Sequence, residues 1–235
     1  EDLDCNWNWV PDDCEFIESD CNNNGLPDAC EVNDGTALDC NANGLLDECE
    51  LDSGFSPDCN GNGIPDECEQ TVAGAWINEF HYDNASSDVG EFVEIVTLDG
   101  VDIATVTLSF YNGSNGTVYN SFNGTELTAG EVGTGYAIYT IMPSSIQNGG
   151  PDGICLDIGG SIAHFISYEG ALTATDGPAA GLTSTDVGVS EGGGTTIGSS
   201  IGLAGAGGGP DAFLWGLMID LATPGVSNDG QTIAP

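Results

Sequence analysis

The sequence contains no lysine and no arginine among its 235 residues, where an average domain of this length carries about 25 to 30 of them. It has 38 Asp and Glu residues and two His, so the formal net charge at pH 7 is −38. No carboxylate can therefore pair with a lysine or arginine of the same chain. Each one has to be balanced by a proton, by hydrogen-bond donors or by a metal cation.

The missing basic residues also exclude two classes of partner. Nucleic-acid binding depends on Lys and Arg at the phosphates, and attraction to anionic membranes depends on basic patches. The longest apolar run, around 212–222, is interrupted by Asp220 and is too short to cross a bilayer. We expect no nucleic-acid partner and no membrane insertion.

Cysteine is abundant by contrast. Nine are present, and eight of them are regularly spaced within residues 1–70, which favours an oxidising compartment. The chain begins at Glu1 without a methionine or a signal peptide, as expected for a processed, secreted protein. We therefore expect an extracellular location, free or at the cell surface.

Composition divides the chain near residue 70. Residues 1–70 hold 20 acidic residues and six glycines, whereas residues 71–235 hold 18 acidic residues, 30 glycines and one cysteine. The first predicted domain, 1–70, is too short and polar for an apolar core and needs cross-links. The second, 71–235, is long enough to bury one.

The first domain consists of four copies of a twelve-residue unit. The copies begin at Asp4, Asp20, Asp39 and Asp58 and follow the pattern D-C-N-x-N-G-Φ-P-D-x-C-E. Oxygen-bearing side chains fall at positions 1, 3, 5, 9 and 12, glycine at 6 and an apolar residue at 7, which is the spacing of a calcium loop. The pattern predicts Ca²⁺ as the bound ion; the alternative is an acidic disordered linker.

The predicted ligands occupy positions 1, 3, 5, 7, 9 and 12, and position 7 contributes its backbone carbonyl. In chain order they are Asp4, Asn6, Asn8, Val10, Asp12, Glu15, Asp20, Asn22, Asn24, Leu26, Asp28, Glu31, Asp39, Asn41, Asn43, Leu45, Asp47, Glu50, Asp58, Asn60, Asn62, Ile64, Asp66 and Glu69. Trp9 replaces the glycine of the first unit, so calcium binding by that unit is left open. Asn at positions 3 and 5 lowers the site charge and predicts extracellular-range affinity, about 10⁻⁴–10⁻³ M.

Two cysteines, at positions 2 and 11, occur in every unit. They are Cys5, Cys14, Cys21, Cys30, Cys40, Cys49, Cys59 and Cys68. Their spacing differs from that of zinc pairs, so we expect disulfides, either within a unit or between neighbouring units. The array resembles dockerin-type and thrombospondin type 3 calcium repeats. Proline at position 8 and short spacers leave little room for long flanking helices, so we expect a compact, calcium-stabilised rod.

The second domain is predicted to be all-β. Alternating apolar and polar residues rich in Val, Ile, Thr and aromatics are separated by Gly, Asn and Asp turns. The predicted strands cover 75–82, 91–98, 104–110, 117–121, 135–141, 153–158, 162–168, 199–203 and 212–217. Many short strands favour a β-sandwich or barrel.

Four segments of the second domain carry a family resemblance. They are WINEFHYDNASSDVGEFVEI (76–95), NGGPDGICLDIGG (148–160), FISYEGALTATDGPAAGLTSTDVGVSE (165–191) and ATPGVSNDGQT (222–232). They resemble the lamin-tail-like domain of secreted bacterial multidomain proteins. The resemblance implies an immunoglobulin-like β-sandwich and an extracellular setting, and it implies no catalytic residue.

Several single features have a structural and a functional interpretation. The acidic corner 81–91 is either a further metal site or a hydrogen-bonded loop, and we expect His81 and His164 to be structural. Ser200 matches G-x-S-x-G but lacks the strand–turn–helix context of a nucleophile. Cys155 alternates with apolar neighbours, as in a buried thiol.

Four sequons of the form N-x-[ST] lie within 42 residues. In a secreted protein they are candidate glycosylation sites, and in a turn they are Asn residues with local backbone roles. The asparagines are Asn84, Asn112, Asn115 and Asn123.

Taken together, these features predict a secreted, non-enzymatic structural protein. We expect a calcium-stabilised subunit of an extracellular filament or surface assembly that polymerises through head-to-tail contacts, with glycans as candidate additions. The alternative is a dockerin-like protein-binding or adhesion module of a larger secreted protein. A fragment of a secreted nuclease is the least favoured reading, because the chain offers two separated histidines and no basic residue.

Overall fold

The computed structural model describes residues 20–39, 43–56, 65 and 74–235. The chain divides into two compact units, Glu1–Glu69 and Gln70–Pro235. The predicted ligands at 4–15 and 58–69 and at Asn41 lie outside the described residues. The same holds for Cys5, Cys14, Cys40, Cys59 and Cys68. Within the described residues, no helix is long and apolar enough to cross a membrane.

The described part of the first unit contains two short helices, α1 (Asp28–Asp34) and α2 (Asp47–Ser53). Each begins at position 9 of its repeat and ends at a glycine, Gly35 or Gly54. Acidic side chains occupy the first turn of both helices, where the positive end of the helix dipole favours them. Seven residues per helix agree with the expectation that the repeats leave no room for long flanking helices.

The second unit contains twelve strands in two sheets. The strands are β1 (Ala75–His81), β2 (Phe92–Leu98), β3 (Val106–Asn112), β4 (Thr117–Asn123), β5 (Thr128–Val132), β6 (Tyr136–Ile141), β7 (Asp152–Ile158), β8 (Ser161–Tyr168), β9 (Thr185–Asp186), β10 (Ser200–Gly207), β11 (Phe213–Met218) and β12 (Gln231–Ile233). The first sheet has the order β11-β10-β1-β2-β6-β5, with β12 beside β10, and the second has the order β4-β3-β7-β8-β9.

All nine predicted strands are confirmed within a few residues of their expected ends. The strands that the sequence did not predict are β5, β9 and β12, of five, two and three residues. Two of these pair in parallel, β9 with β8 and β12 with β10. Strands β9 and β12 carry too few residues for an alternating pattern to be recognised, and β5 has the sequence TAGEV and is exposed at four of its five positions.

The main apolar cluster draws side chains from both sheets. Ile77 and Ile95 of the first sheet belong to it together with Leu108 and Ile154 of the second. Two further apolar clusters lie outside this core: one contains Trp76, and the other contains residues of the segment 172–179. Consecutive residues of β1, Trp76 and Ile77, thus belong to different clusters. Both faces of the strand are therefore covered, and β1 is buried along its whole length instead of alternating between buried and exposed positions.

A bulge in β1 connects the two sheets through a histidine. The register between β1 and β2 shifts at Asn78, and the backbone N–H of Ile77 donates to Nδ1 of His164 at 3.1 Å. Burial lowers the pKa of His164 to about 4. The imidazole therefore stays neutral near pH 7, as an acceptor nitrogen requires, which supports the expected structural role of His164.

Three carboxylates of the first sheet hold alternate backbone N–H groups of the segment 223–227. The pairs are Thr223 N to Glu79 Oε1 at 3.0 Å, Gly225 N to Glu94 Oε2 at 2.6 Å and Ser227 N to Glu131 Oε2 at 2.9 Å. We call this arrangement the carboxylate ladder. Because no Lys or Arg exists, backbone donors take the place that a basic side chain would otherwise fill.

Two carboxylates of the ladder belong to adjacent, paired strands. Glu79 of β1 lies opposite Glu94 of β2, and both side chains are fully buried. Burial raises the pKa of Glu94 to about 8, despite its bonds from Asn78 and Gly225, and the charge of Glu79 adds to the rise. Burial also raises the pKa of Glu79. Glu94 is therefore protonated in the folded unit at neutral pH.

This protonation predicts that the second unit becomes less stable as pH rises. The contribution of Glu94 is fully present below its unfolded pKa of about 4.5 and is lost as pH rises through about 8. In the window between these values, one bound proton gives a slope of about 1.4 kcal/mol per pH unit. Urea unfolding followed by near-ultraviolet circular dichroism, from pH 5 to pH 8.5, measures this slope.

The variant Glu94→Gln isolates the contribution of Glu94 to the pH dependence of stability, because glutamine does not titrate. We expect the free energy of unfolding of this variant to depend less steeply on pH than that of the wild type, whatever its absolute stability. The buried His81, whose pKa is raised on balance, contributes a residual slope of the same sign. The control Asp229→Asn removes an exposed carboxylate and should keep the wild-type slope. An unchanged slope in Glu94→Gln would contradict the assignment.

Candidate functional site

The second repeat folds into a tight loop around its first aspartate. Asp20 accepts the backbone N–H of Asn24 on Oδ1 at 3.1 Å and that of Gly25 on Oδ2 at 3.0 Å. Gly25 has φ of 93°, a conformation that side chains disfavour. Glycine at position 6 therefore permits the turn, as the repeat pattern predicts.

The side chains at positions 3, 5 and 12 of this loop converge. Asn24 Nδ2 donates to Glu31 Oε1 at 2.6 Å, and Asn22 Nδ2 lies 3.4 Å from Glu31 Oε2. Glu31 is only 4% exposed. The side-chain amides of Asn22 and Asn24 can each rotate so that the oxygen, instead of the nitrogen, faces the region beside the Glu31 carboxylate. The loop thus gathers the oxygen-bearing groups that a hard cation prefers.

The third repeat reproduces the same contacts. Asp39 accepts the N–H groups of Asn43 at 3.1 Å and Gly44 at 2.9 Å, and Asn43 Nδ2 donates to Glu50 Oε1 at 2.6 Å. Glu50 is 1% exposed, and its Oε2 has no hydrogen-bond partner among the described residues. A buried carboxylate oxygen without a donor is costly, and a bound cation would remove this cost.

The remaining predicted ligands are placed less uniformly. Asp28, at position 9 of the second repeat, accepts the backbone N–H of Cys21 at 3.0 Å, whereas Asp47 is buried at the start of α2. The side chains of Leu26 and Leu45 are exposed. A leucine side chain carries no ligand atom, so these residues can contribute only their backbone carbonyls. The donor set of acidic and amide oxygens fits Ca²⁺ better than a soft metal.

One disulfide joins two neighbouring repeats, which for this pair excludes the alternative of a bond within a single repeat. Cys21, at position 2 of the second repeat, is bonded to Cys49, at position 11 of the third. Cys30 also takes part in a disulfide. Asn22 Nδ2 donates to Glu48 Oε1 at 2.5 Å and connects the same two repeats.

The disulfide sulfurs do not form a zinc site. Cys21, Cys49 and Asp28 place ligand atoms within 4.8 Å of one another. The two sulfurs are bonded to each other, so neither is the thiolate that zinc binding requires. We therefore assign no metal to this group.

The acidic corner of the second unit is a hydrogen-bonded loop. His81 Nδ1 lies 2.7 Å from Glu191 Oε1, and His81 Nε2 lies 2.7 Å from Asn84 Nδ2. Burial lowers the pKa of His81, but the hydrogen bond and charge of Glu191 outweigh it and raise the pKa on balance. Glu91 accepts the backbone N–H of Ile146. In the described part of this corner, no three His or acidic groups are close enough to share a metal.

The four sequon asparagines fall into two groups. Asn84 is 1% exposed, and its amide nitrogen donates to the Val89 carbonyl, so a glycan on it would require the loop to open. The other three each accept the backbone N–H and the hydroxyl of the residue two positions later; they are Asn112, Asn115 and Asn123. Asn115 and Asn123 are exposed and remain glycosylation candidates.

Ser200 and Cys155 are both buried. The Ser200 hydroxyl donates to Glu79 of the carboxylate ladder.

An open cavity of about 520 Å³ lies beside residues 190–196. Glu191 is the one titratable residue of its lining and is already bound to His81, so the lining presents no acid–base pair.

The sequence analysis did not identify the carboxylate ladder. Each carboxylate lies at least 96 residues from the backbone N–H that it accepts, and no local spacing marks these pairs. The available signal was the complete lack of basic partners for carboxylates in apolar strands such as β1 and β2.

Comparison with known proteins identifies no relative. No family model, no curated protein and no solved structure matches the chain.

The loop and disulfide geometry predicts separate responses to chelation and reduction. The Cys21–Cys49 bond spans 28 residues and contributes about 3 to 4 kcal/mol in the chain-entropy model. A calcium site at about ten times its dissociation constant contributes about 1.4 kcal/mol. We expect EGTA alone to loosen the first unit, and EGTA with a reductant to unfold it.

Amide hydrogen exchange of residues 20–56 measures both states. Reduction with calcium present is the control and should give intermediate protection. Complete loss of protection in EGTA alone, with the disulfides intact, would show that calcium contributes more than the cross-links.

Proposed function

We propose that this protein is a secreted, non-enzymatic structural protein, a calcium-stabilised subunit of an extracellular filament or surface assembly. The observation that carries the proposal is the pair of matching loops in the first unit. In both, an aspartate organises the turn and a buried glutamate meets the asparagine at position 5. Within the described part of the chain, Oε2 of Glu50 has no hydrogen-bond donor, which supports a cation at this point.

Ca²⁺ would be held by the side chains at positions 1, 3, 5 and 12. It would supply the positive charge that the chain itself lacks and would draw each loop onto its helix. The protein's own contribution is the preformed turn at Asp20 or Asp39. We extend the same role to the fourth repeat on the basis of its sequence, and leave the first repeat open because Trp9 replaces its glycine.

For the second unit we propose an immunoglobulin-like β-sandwich of the lamin-tail-like kind. The support is that one apolar cluster contains side chains of both sheets, which fits two sheets packed face to face. In this proposal the second unit is a rigid body that carries the contacts between subunits.

An open sheet edge favours assembly over an isolated module. Strand β11 lies at the end of the first sheet, has no charged residue, and exposes Leu214 by 80%. Exposed apolar edges of this kind accept an added strand. Head-to-tail contacts at such an edge would propagate without closing.

The dockerin-like alternative is favoured by one observation, the loop followed directly by a short helix in both described repeats. A dockerin-like module would form a tight complex with a different protein and would not polymerise. The two functions therefore differ in what the purified protein does on its own.

Negative-stain electron microscopy in about 1 mM calcium and after EGTA tests the proposal. We expect regular filaments that fray or dissolve on chelation, because the calcium loops stiffen the first unit. Dispersed particles in both conditions would contradict assembly and favour the dockerin-like alternative.

Substitution of a single loop ligand tests calcium binding directly. Glu50→Gln removes a buried carboxylate and should weaken one site by at least about tenfold, which corresponds to about 1.4 kcal/mol. Asp52→Asn, on the exposed side of the same helix, is the matched control. Isothermal titration with Ca²⁺ should show one site fewer in Glu50→Gln and an unchanged profile in Asp52→Asn. Equal affinities for all three proteins would exclude Glu50 as a ligand.

A further inference from the structure

The first pair of the carboxylate ladder lies beside a side-chain amide. Thr223 Oγ1 lies 3.1 Å from Glu79 Oε2 and 3.2 Å from Asn228 Oδ1. Glu79 is fully buried, Asn228 is 3% exposed, and Thr223 is half-buried. A hydroxyl, a carboxyl within hydrogen-bond distance of it and an amide carbon are the groups that ester formation requires as nucleophile, base and electrophile.

Two main-chain carbonyls fix the orientation of the Asn228 amide. Its Nδ2 donates to the carbonyl of Asn78 at 3.1 Å and to that of Leu203 at 2.9 Å. The nitrogen cannot exchange places with Oδ1 without losing both bonds. It also occupies the space beside Gly202, where a Cβ would lie 2.9 Å from it. The amide is therefore held with its carbonyl oxygen toward the Thr223 hydroxyl.

The Thr223 hydroxyl has one proton and two acceptors. The backbone N–H of Thr223 donates to Glu79 Oε1 at 3.0 Å, which holds the residue against the carboxyl, and the β-branched side chain has few rotamers. When the single hydroxyl hydrogen is directed to Glu79, an oxygen lone pair makes the contact with Asn228. In this orientation the hydroxyl oxygen is placed to attack the amide carbon.

We propose that Thr223 and Asn228 form an ester bond in an intramolecular reaction of the folded second unit. Thr223 Oγ1 attacks Asn228 Cγ, so that the Oγ1–Cγ bond forms and the Cγ–Nδ2 bond breaks. Glu79 takes the hydroxyl proton and passes it to Nδ2, which leaves as ammonia. The step changes no oxidation state, needs no co-reactant and lowers the mass of the chain by one ammonia.

The surroundings of Glu79 suit this proton transfer. Burial raises the pKa of Glu79, although hydrogen bonds from Ser200 and Thr223 lower it. The pKa thus moves toward neutral pH, where a group that accepts a proton and then donates it is most effective. Burial also limits the access of water, which would hydrolyse the ester. An amine cannot act as the nucleophile here, because the chain has no lysine.

The ester closes a ring over residues 223–228. This ring contains the backbone N–H groups of Thr223, Gly225 and Ser227, which the three carboxylates of the ladder accept. The bond would therefore fix the segment in the conformation that the ladder requires. The inference does not depend on the proposed function, since the bond lies within one chain.

Peptide mass spectrometry of the full chain tests the proposal. An endoproteinase that cleaves before aspartate releases residues 220–228, because aspartates stand at positions 220 and 229. We expect this peptide at its sequence mass less one ammonia, without fragment ions from single backbone cleavages between 223 and 228. A succinimide at Asn228 also loses ammonia, but it uses the nitrogen of Asp229 and would keep that residue attached. Hydroxylamine should open the ester and leave a hydroxamate on residue 228.

Substitution of the nucleophile separates the ester from other losses of ammonia. Thr223→Val removes the hydroxyl and should restore the full amide mass, whereas Thr223→Ser keeps a hydroxyl and should retain the loss. Thr232→Val removes an exposed hydroxyl and is the matched control, which should behave as the wild type. Glu79→Gln removes the base and should also restore the amide mass, with near-ultraviolet circular dichroism as the check that the variant is folded.

Three results would overturn the proposal. The first is a wild-type peptide 220–228 at its full amide mass, from protein kept folded at neutral pH; this measurement does not depend on how the variants fold. The second is a loss of ammonia that persists in Thr223→Val, and the third is a folded Glu79→Gln protein that retains the loss. None of them would affect the proposed function, which electron microscopy tests separately.

Discussion

The absence of lysine and arginine is the constraint on which the described structure depends. In the second unit, backbone N–H groups and protons replace Lys and Arg. The carboxylate ladder uses Glu79, Glu94 and Glu131 to hold the segment 223–227 against the first sheet. Charges that face each other across β1 and β2 would repel, and the raised pKa of Glu94 shows that a proton removes one of them.

The first unit meets the same constraint in another way. Its carboxylates organise tight turns, as at Asp20 and Asp39, and they gather around points where a divalent cation would complete the set of ligands. A unit of this size is too small to bury a large apolar core, and the Cys21–Cys49 disulfide joins two neighbouring repeats. In the proposed function, calcium and cross-links share the task of holding the repeats together.

The sequence predicted what depends on local spacing. Nine strands followed from alternating patterns, and the turns of two described repeats followed from the glycine at position 6 and the aspartate at position 1. It could not predict contacts between distant residues. The Cys21–Cys49 pairing depends on how one repeat lies against the next, and Glu94 meets Gly225 across 131 residues. Strands as short as β9 were missed because they form only where an existing edge accepts them.

The protonation state of the buried carboxylates tests the central claim most directly. Infrared spectroscopy of the folded protein distinguishes the carbonyl band of a protonated carboxyl from the bands of a carboxylate. At pH 7 we predict a protonated-carboxyl band that decreases above about pH 8 and is weaker at pH 7 in Glu94→Gln. A folded protein whose carboxyls are all ionised at pH 7 would contradict the account.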